Sequence, residues 1–328
     1  MHFSRRQMIQ SAGASALLAS IGQQAFAQSL ESVKLVTGFT AGGTSDTICR
    51  RVADKLRTGY ARNAVVENKT GAGGQIAIQS MKGAPADGSV VLQTPMSMLG
   101  IYPHIYKKLP YDPIADVLPV SLGAVFDFGF AVGPSVPASV QTVPEFLAWC
   151  KANPGQANFG SPAAGSVPHF IGTLLGRSAG LDLKHVPYRG TQPAILDMIG
   201  GQLQAVSGPV GEFTQHVAAG KCRLIGTSGA GRSKFAPSVA TLTEQGLKDM
   251  AFNEWFGFYL PAGATSATVQ NLNAALRSAL AAPDVIEGLA AMGLEAASSS
   301  PAELAAMLKT DTERWGPLVK AIGFSADA

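Results

Sequence analysis

The stretch GFTAGGTSD, residues 38–46, lies between an apolar run, VKLV (33–36), and an amphipathic one, TICRRVADKL (47–56). A strand, a glycine-rich turn and a helix start follow one another. Ile48, Val52 and Leu56 recur every four residues, the spacing of one helix face. Gly42 and Gly43 let the backbone turn and keep side chains out of its way. Thr44 or Ser45 suits the helix cap, and Asp46 suits the positive first turn. Such a junction presents backbone N–H groups to an anion. Whether that anion is bound or transformed is the functional question.

The alternation continues along the chain. Strand-like runs occupy 33–39, 63–68, 89–94, 128–133, 184–189, 204–208 and 222–228, with helical patterns between them. The fold class expected is therefore α/β. Phe146, Leu147 and Cys150 mark one helix face, and Ile195, Leu196 and Ile199 another, stopped by Gly200-Gly201. From Thr265 onward the pattern is helical, with Val269, Leu272, Leu276 and Leu280 in one stripe. The last helical run, from Pro301, is expected to break at Pro317. LPYDPIADVLPVS (109–121) reads as a long loop and FNEWFGFYLPAG (252–263) as an extended passage. Two such passages suit a middle domain inserted into an outer one.

Composition narrows the class. The chain has 328 residues, 46% hydrophobic and 14% charged, which is a globular protein long enough for two domains. Residues 1–27 combine Arg5 and Arg6, a short apolar stretch and Ala25-Phe26-Ala27, the pattern of a cleaved secretory signal peptide. SRRQMIQ resembles a twin-arginine export signal, though Met8 and Gln10 depart from it and leave the general secretory route open. Cleavage would leave 301 residues (328 − 27) and a net charge of +1 (+3 − 2). Nucleic acid requires a concentrated basic face, so it is not expected as a partner. Cys49, Cys150 and Cys222 are odd in number and widely spaced, which favours buried free thiols over a redox or zinc motif.

Complete catalytic sets are missing. NKTGAGGQIAIQ (68–79) is a poor dinucleotide fingerprint, because Ile76 stands where glycine or alanine is needed. GTSGAGRS (226–233) has Arg232 at the lysine position of a phosphate loop. NFGSPAAGSVPHF (158–170) offers Ser161, Gly165, Ser166 and His169, but no nucleophile elbow and no third triad member. No histidine cluster has metal-ligand spacing, so neither metal nor cofactor is expected. HVPYRGTQPAILD (185–197) places Tyr188 and Gly190 at a strand end, before Thr191 as a helix cap. Several anion-friendly turns without a catalytic set favour binding over chemistry.

FTAGGTSD, VVENKTGAGGQIA, APADGSVVL, NFGSPAAGSVPHF, HVPYRGTQPAILDMIGGQLQA and VATLTEQG stand in the order of the Bug, or TctC, family, and the chain resembles it over the whole mature length. These are extracytoplasmic solute receptors of tripartite tricarboxylate transporters. The resemblance implies a type II-like periplasmic-binding-protein fold, with two α/β domains around a cleft that closes on a small carboxylated solute. The expected domains are 28–127 plus 253–328, and 128–252 inserted. Backbone amides of two opposed loops would hold the ligand carboxylate. Those loops are Phe39 to Asp46, including Ala41, Gly42, Gly43, Thr44 and Ser45, and Ser161 to Ser166, including Gly165, with His169 behind. Tyr188, Gly190 and Thr191 would line the middle-domain wall, supported by Asp197. Asp46 would repel a bound carboxylate unless it faces the helix start, a water or an ammonium group. The resemblance further implies a periplasmic monomer that serves TctA/TctB-like membrane subunits. Departures at Gly38, at Pro162 to Ala164 and at GPV (208–210) leave the choice of acid open, aromatic or aliphatic. The competing readings are a sensing receptor of the same fold and a periplasmic hydrolase.

Overall fold

The computed structural model describes residues 30–326. The expected signal peptide, residues 1–27, lies outside them. Ten strands organise the described residues: β1 (Leu30–Thr37), β2 (Ala61–Asn68), β3 (Val90–Pro95), β4 (Val117–Val132), β5 (Asn158–Ser161), β6 (Lys184–Pro187), β7 (Ala205–Pro209), β8 (Arg223–Thr227), β9 (Asn253–Pro261) and β10 (Glu295–Ala296).

β4 explains the architecture. Its first part, to Asp127, pairs antiparallel with β9, and its last part, from Phe128, pairs with β7 and β8. One strand thus belongs to two sheets. The outer sheet runs β2-β1-β3-β9-β4, and the inner one continues through β7, β5 and β6. β1, β2 and β3 are parallel, as are β5, β6 and β7, because helices make the crossovers between them. The return passage crosses beside β4. Phe128 O accepts from Ser228 N at 2.8 Å, and Ser228 O from Phe252 N at 2.7 Å.

The structure departs from the sequence reading in three places. The stretch 109–121 contains the start of β4, and the register shifts between Pro119 and Ser121 let a proline sit inside the strand. The helix Pro301–Ile322 runs through Pro317 without ending. Leu304, Trp315, Val319 and Ile322 are buried along it, so packing holds the turns on both sides of the proline. In the helix Thr191–Ile199 the buried apolar face is Ala194, Ile195 and Met198, and Leu196 is 61% exposed. Adjacent helical residues point about 100° apart, so Leu196 leaves the stripe that Ile195 joins. The three cysteines are buried free thiols.

Candidate functional site

A cleft opens between the two sheets, with about 480 Å³ of space free of protein atoms, its mouth included. Four helix starts converge on it. Two belong to the outer half: Gly43, Thr44 and Ser45 begin the helix Thr44–Leu56, and Pro95, Ser97 and Met98 lie at the start of Met96–Gly100. Two belong to the inner half: Ser166 and Pro168 at Val167–Ser178, and Gly190 and Thr191 at Thr191–Ile199. Phe126, Phe128 and Phe256 supply an apolar wall from β4 and β9.

Among residues expected at the site, Phe39, Gly43, Thr44, Ser45, Ser166, Gly190 and Thr191 line this cleft. The others stand beside or behind it. Gly42 takes the left-handed turn, with φ +84°, whereas Gly43 is extended at φ −80° and precedes the helix. Asp46 is buried, accepting from Gly42 N at 2.9 Å, Arg50 Nε at 2.7 Å and Asn68 Nδ2 at 3.0 Å. Burial acts to raise its pKa, but the bonds from Arg50, Gly42 and Asn68 outweigh it and hold the carboxyl below its ordinary range. Asp46 therefore braces the first loop, and Ala41 lies just before Gly42, in the turn where Gly43 N donates to Thr40 O at 3.5 Å.

The opposing loop is braced in the same way. Ser161 is fully buried and contacts His185 Nε2 at 2.7 Å. Gly165 N donates to His169 Nδ1 at 2.9 Å, and the two imidazoles lie 4.0 Å apart between centroids. Burial lowers the His169 pKa to about 4, so the ring is neutral. The Ser166 hydroxyl donates to Ala163 O at 2.7 Å. Tyr188 donates to Asp197 Oδ2 at 2.6 Å, a bond within the inner half. Gly190 has φ +141°, and a Cβ there would lie 2.5 Å from Thr40 Oγ1. That glycine lets the inner half approach the first loop.

Two cleft residues were not legible from local motifs: Glu212 and Glu254. Glu212 follows β7 in the inner half and reaches across the cleft. Its Oε1 accepts from Thr44 N at 3.1 Å and Thr44 Oγ1 at 2.9 Å, and its Oε2 from Gln192 Nε2 at 3.1 Å. The protein's own carboxylate thus occupies the helix start in GFTAGGTSD. Burial raises its pKa against the bonds from Thr44 and Gln192. Glu254 pairs with Phe126 where β9 meets β4, and its Oε1 accepts from Ser97 N at 2.8 Å and from the Ser97 hydroxyl. Burial pushes the Glu254 pKa up to about 7, opposed by the Ser97 bonds and aided by the Asp311 charge. Thr40, Pro95, Ser97, Met98, Pro162, Pro168 and Pro209 complete the lining with the aromatic wall.

Residues 48–324 match the model of the tripartite tricarboxylate transporter family receptor, TctC. The chain belongs to the TctC family. A relative from Cupriavidus necator, a UPF0065 protein in the gbd 5' region, is 33% identical over 296 residues, 90% of this chain and 89% of the relative. The solved periplasmic binding protein BugD superposes with a TM-score of 0.83 at 28% identity, covering 90% of this chain and 98% of BugD. A Rhodopseudomonas-type neighbour, R. palustris Rpa4515 with adipate, gives 0.85 at 26% identity over 90% of this chain and 98% of its own. The expected periplasmic-binding-protein fold is therefore the observed one. As a TctC protein the chain is a solute-binding receptor, and among the described residues no helix is long and apolar enough to cross a membrane.

Proposed function

We propose that the protein captures a small carboxylated metabolite in this cleft, in the periplasm, and delivers it to TctA/TctB-like subunits of a tripartite membrane transporter. The observation that carries the reading is the pair of inner-half helix starts at Ser166 and Gly190. Both line the cleft, and no described group accepts from Val167 N or Thr191 N, whereas Thr44 N and Ser97 N in the outer half already donate to Glu212 and Glu254. Unpaired N–H groups at a helix start favour an anion. The ligand carboxylate would sit there, with Phe39, Thr40 and the aromatic wall over its apolar part.

Binding without chemistry fits the placement of the nucleophiles. Ser161 is buried away from the cleft, and Ser166 donates to a backbone carbonyl. The domain division at 127/128 and 252/253 is part of the proposal. It falls where β4 changes partners and where the return passage crosses it. Two strands at one level form a hinge about which the halves can close.

The test is a melting-temperature screen of the mature chain against mono- and dicarboxylic acids, with their amides and methyl esters as controls. A bound acid at about 100 times Kd should add about 2.7 kcal/mol. Its ester or amide should add far less. If no acid shifts the transition, or a neutral sugar alone does, the reading fails.

A further inference from the structure

Among the described residues, the cleft is lined by two carboxyl groups and no positive side chain. No Lys, Arg or His lines it, and no positive charge is among the groups acting on Glu212 or Glu254. Buried carboxylates without a cationic partner are costly, and proteins ordinarily pair them. The two differ in how far hydrogen bonds satisfy them. Both oxygens of Glu212 accept from Thr44 or Gln192. Glu254 accepts from Ser97 through Oε1 alone, and no described group donates to its Oε2. The residue is 3% exposed and lines the cleft, so this oxygen is an unmet acceptor facing the ligand space. Phe126, opposite Glu254 in the strand pairing, and Phe256, two residues on, place ring surface at the same end.

We propose that the ligand carries a cationic nitrogen as well as a carboxylate, and that Glu254, seconded by Glu212, is the specificity-determining residue for the cationic end. This rests on the receptor reading above and sharpens it. The ligand carboxylate takes the uncapped inner-half helix starts. Its ammonium group donates to Glu254 Oε2 and lies against the phenylalanine rings, whose faces attract cations. A second carboxylate at that end would meet a like charge beside apolar rings, where repulsion costs more than in bulk solvent. Burial pushes the Glu254 pKa up to about 7 and no cation among the groups acting on it offsets that, so an ammonium group bound beside it would lower it.

The experiment is calorimetry with matched pairs. Diacids from succinate to adipate are compared with the ω-amino acids of the same chain length, and 2-hydroxy acids with the corresponding α-amino acids. At least one amine-bearing probe should bind about tenfold or more tightly than its match. Glu254→Gln should reduce that ratio to near unity. Glu212→Gln should reduce it less, and melting temperatures of both variants without ligand establish that they fold. Diacids or hydroxy acids binding as tightly as their partners throughout would overturn the inference and leave the receptor reading standing. So would a preference unchanged in Glu254→Gln. Binding by no member of either series overturns the inference as well, and the wider acid screen then judges the receptor reading separately.

Discussion

The two halves of the cleft use the same device and leave it in opposite states. In the outer half, the helix starts at Thr44 and Ser97 are both met by carboxylates of the chain itself, Glu212 and Glu254. In the inner half, no described carboxylate or carbonyl accepts from the first N–H groups, those of Val167 and Thr191. A strand–helix turn is an anion site in either case, because the orphan N–H groups are there regardless. What differs is who supplies the anion. A turn motif therefore identifies the capacity, and only the long-range fold identifies the occupant.

Closing the gap between the halves is the most sensitive way to break this comparison. Gly190→Val places a branched side chain at φ +141°, against Thr40 Oγ1. Ligand affinity should fall by about a hundredfold or more, with solution scattering showing no compaction when acid is added. Gly43→Val has a different cause from the one its turn position suggests. Its φ is permissive, but a Cβ would lie 3.3 Å from Glu212 Oε1, so the bridge from Glu212 to Thr44 must shift.

Glu212→Ala is the next largest. It leaves the Thr44 N–H and hydroxyl without their acceptor, at a cost of about 1–3 kcal/mol in denaturant unfolding. It also removes a bond between the halves, so the free protein should be more open by scattering. Glu254 gives a comparable effect that depends on pH. Its folded pKa of about 7 lies above the ordinary glutamate value of 4.5, so between these values the folded state holds more protons than the unfolded one. Stability contributed by this group is complete below about pH 4.5 and declines as pH rises through 7, by up to about 3 kcal/mol. Urea midpoints across that range should show the decline, and Glu254→Gln should flatten it. Ser166→Ala should matter least, roughly 1 kcal/mol in binding, since its hydroxyl already donates to Ala163 O.

Much of this arrangement was legible in the sequence. The strand–turn–helix rhythm and the order of the motifs point to the fold, and Gly43, Ser166, Gly190 and Thr191 reach the cleft because local turn chemistry puts them at helix starts. β4 was half hidden, because the prolines that punctuate 109–121 mask a strand that tolerates Pro119 through a register shift. The acidic residues were missed for another reason. Glu212 meets Thr44 across 168 positions and Glu254 meets Ser97 across 157, and no local period reports such contacts. A signal did exist. Glu254 is a lone charge inside FNEWFGFYL, where an apolar strand would have none without a purpose.

The most direct test of the contrast is amide NMR of the deuterated mature chain during titration with a bound acid. The account predicts large shifts at the N–H groups of Val167 and Thr191, as they take the ligand carboxylate, and little change at Thr44, held by Glu212. A large shift at Thr44 with Val167 and Thr191 unmoved would contradict it, because the ligand would then have displaced Glu212 and left the inner-half helix starts unused.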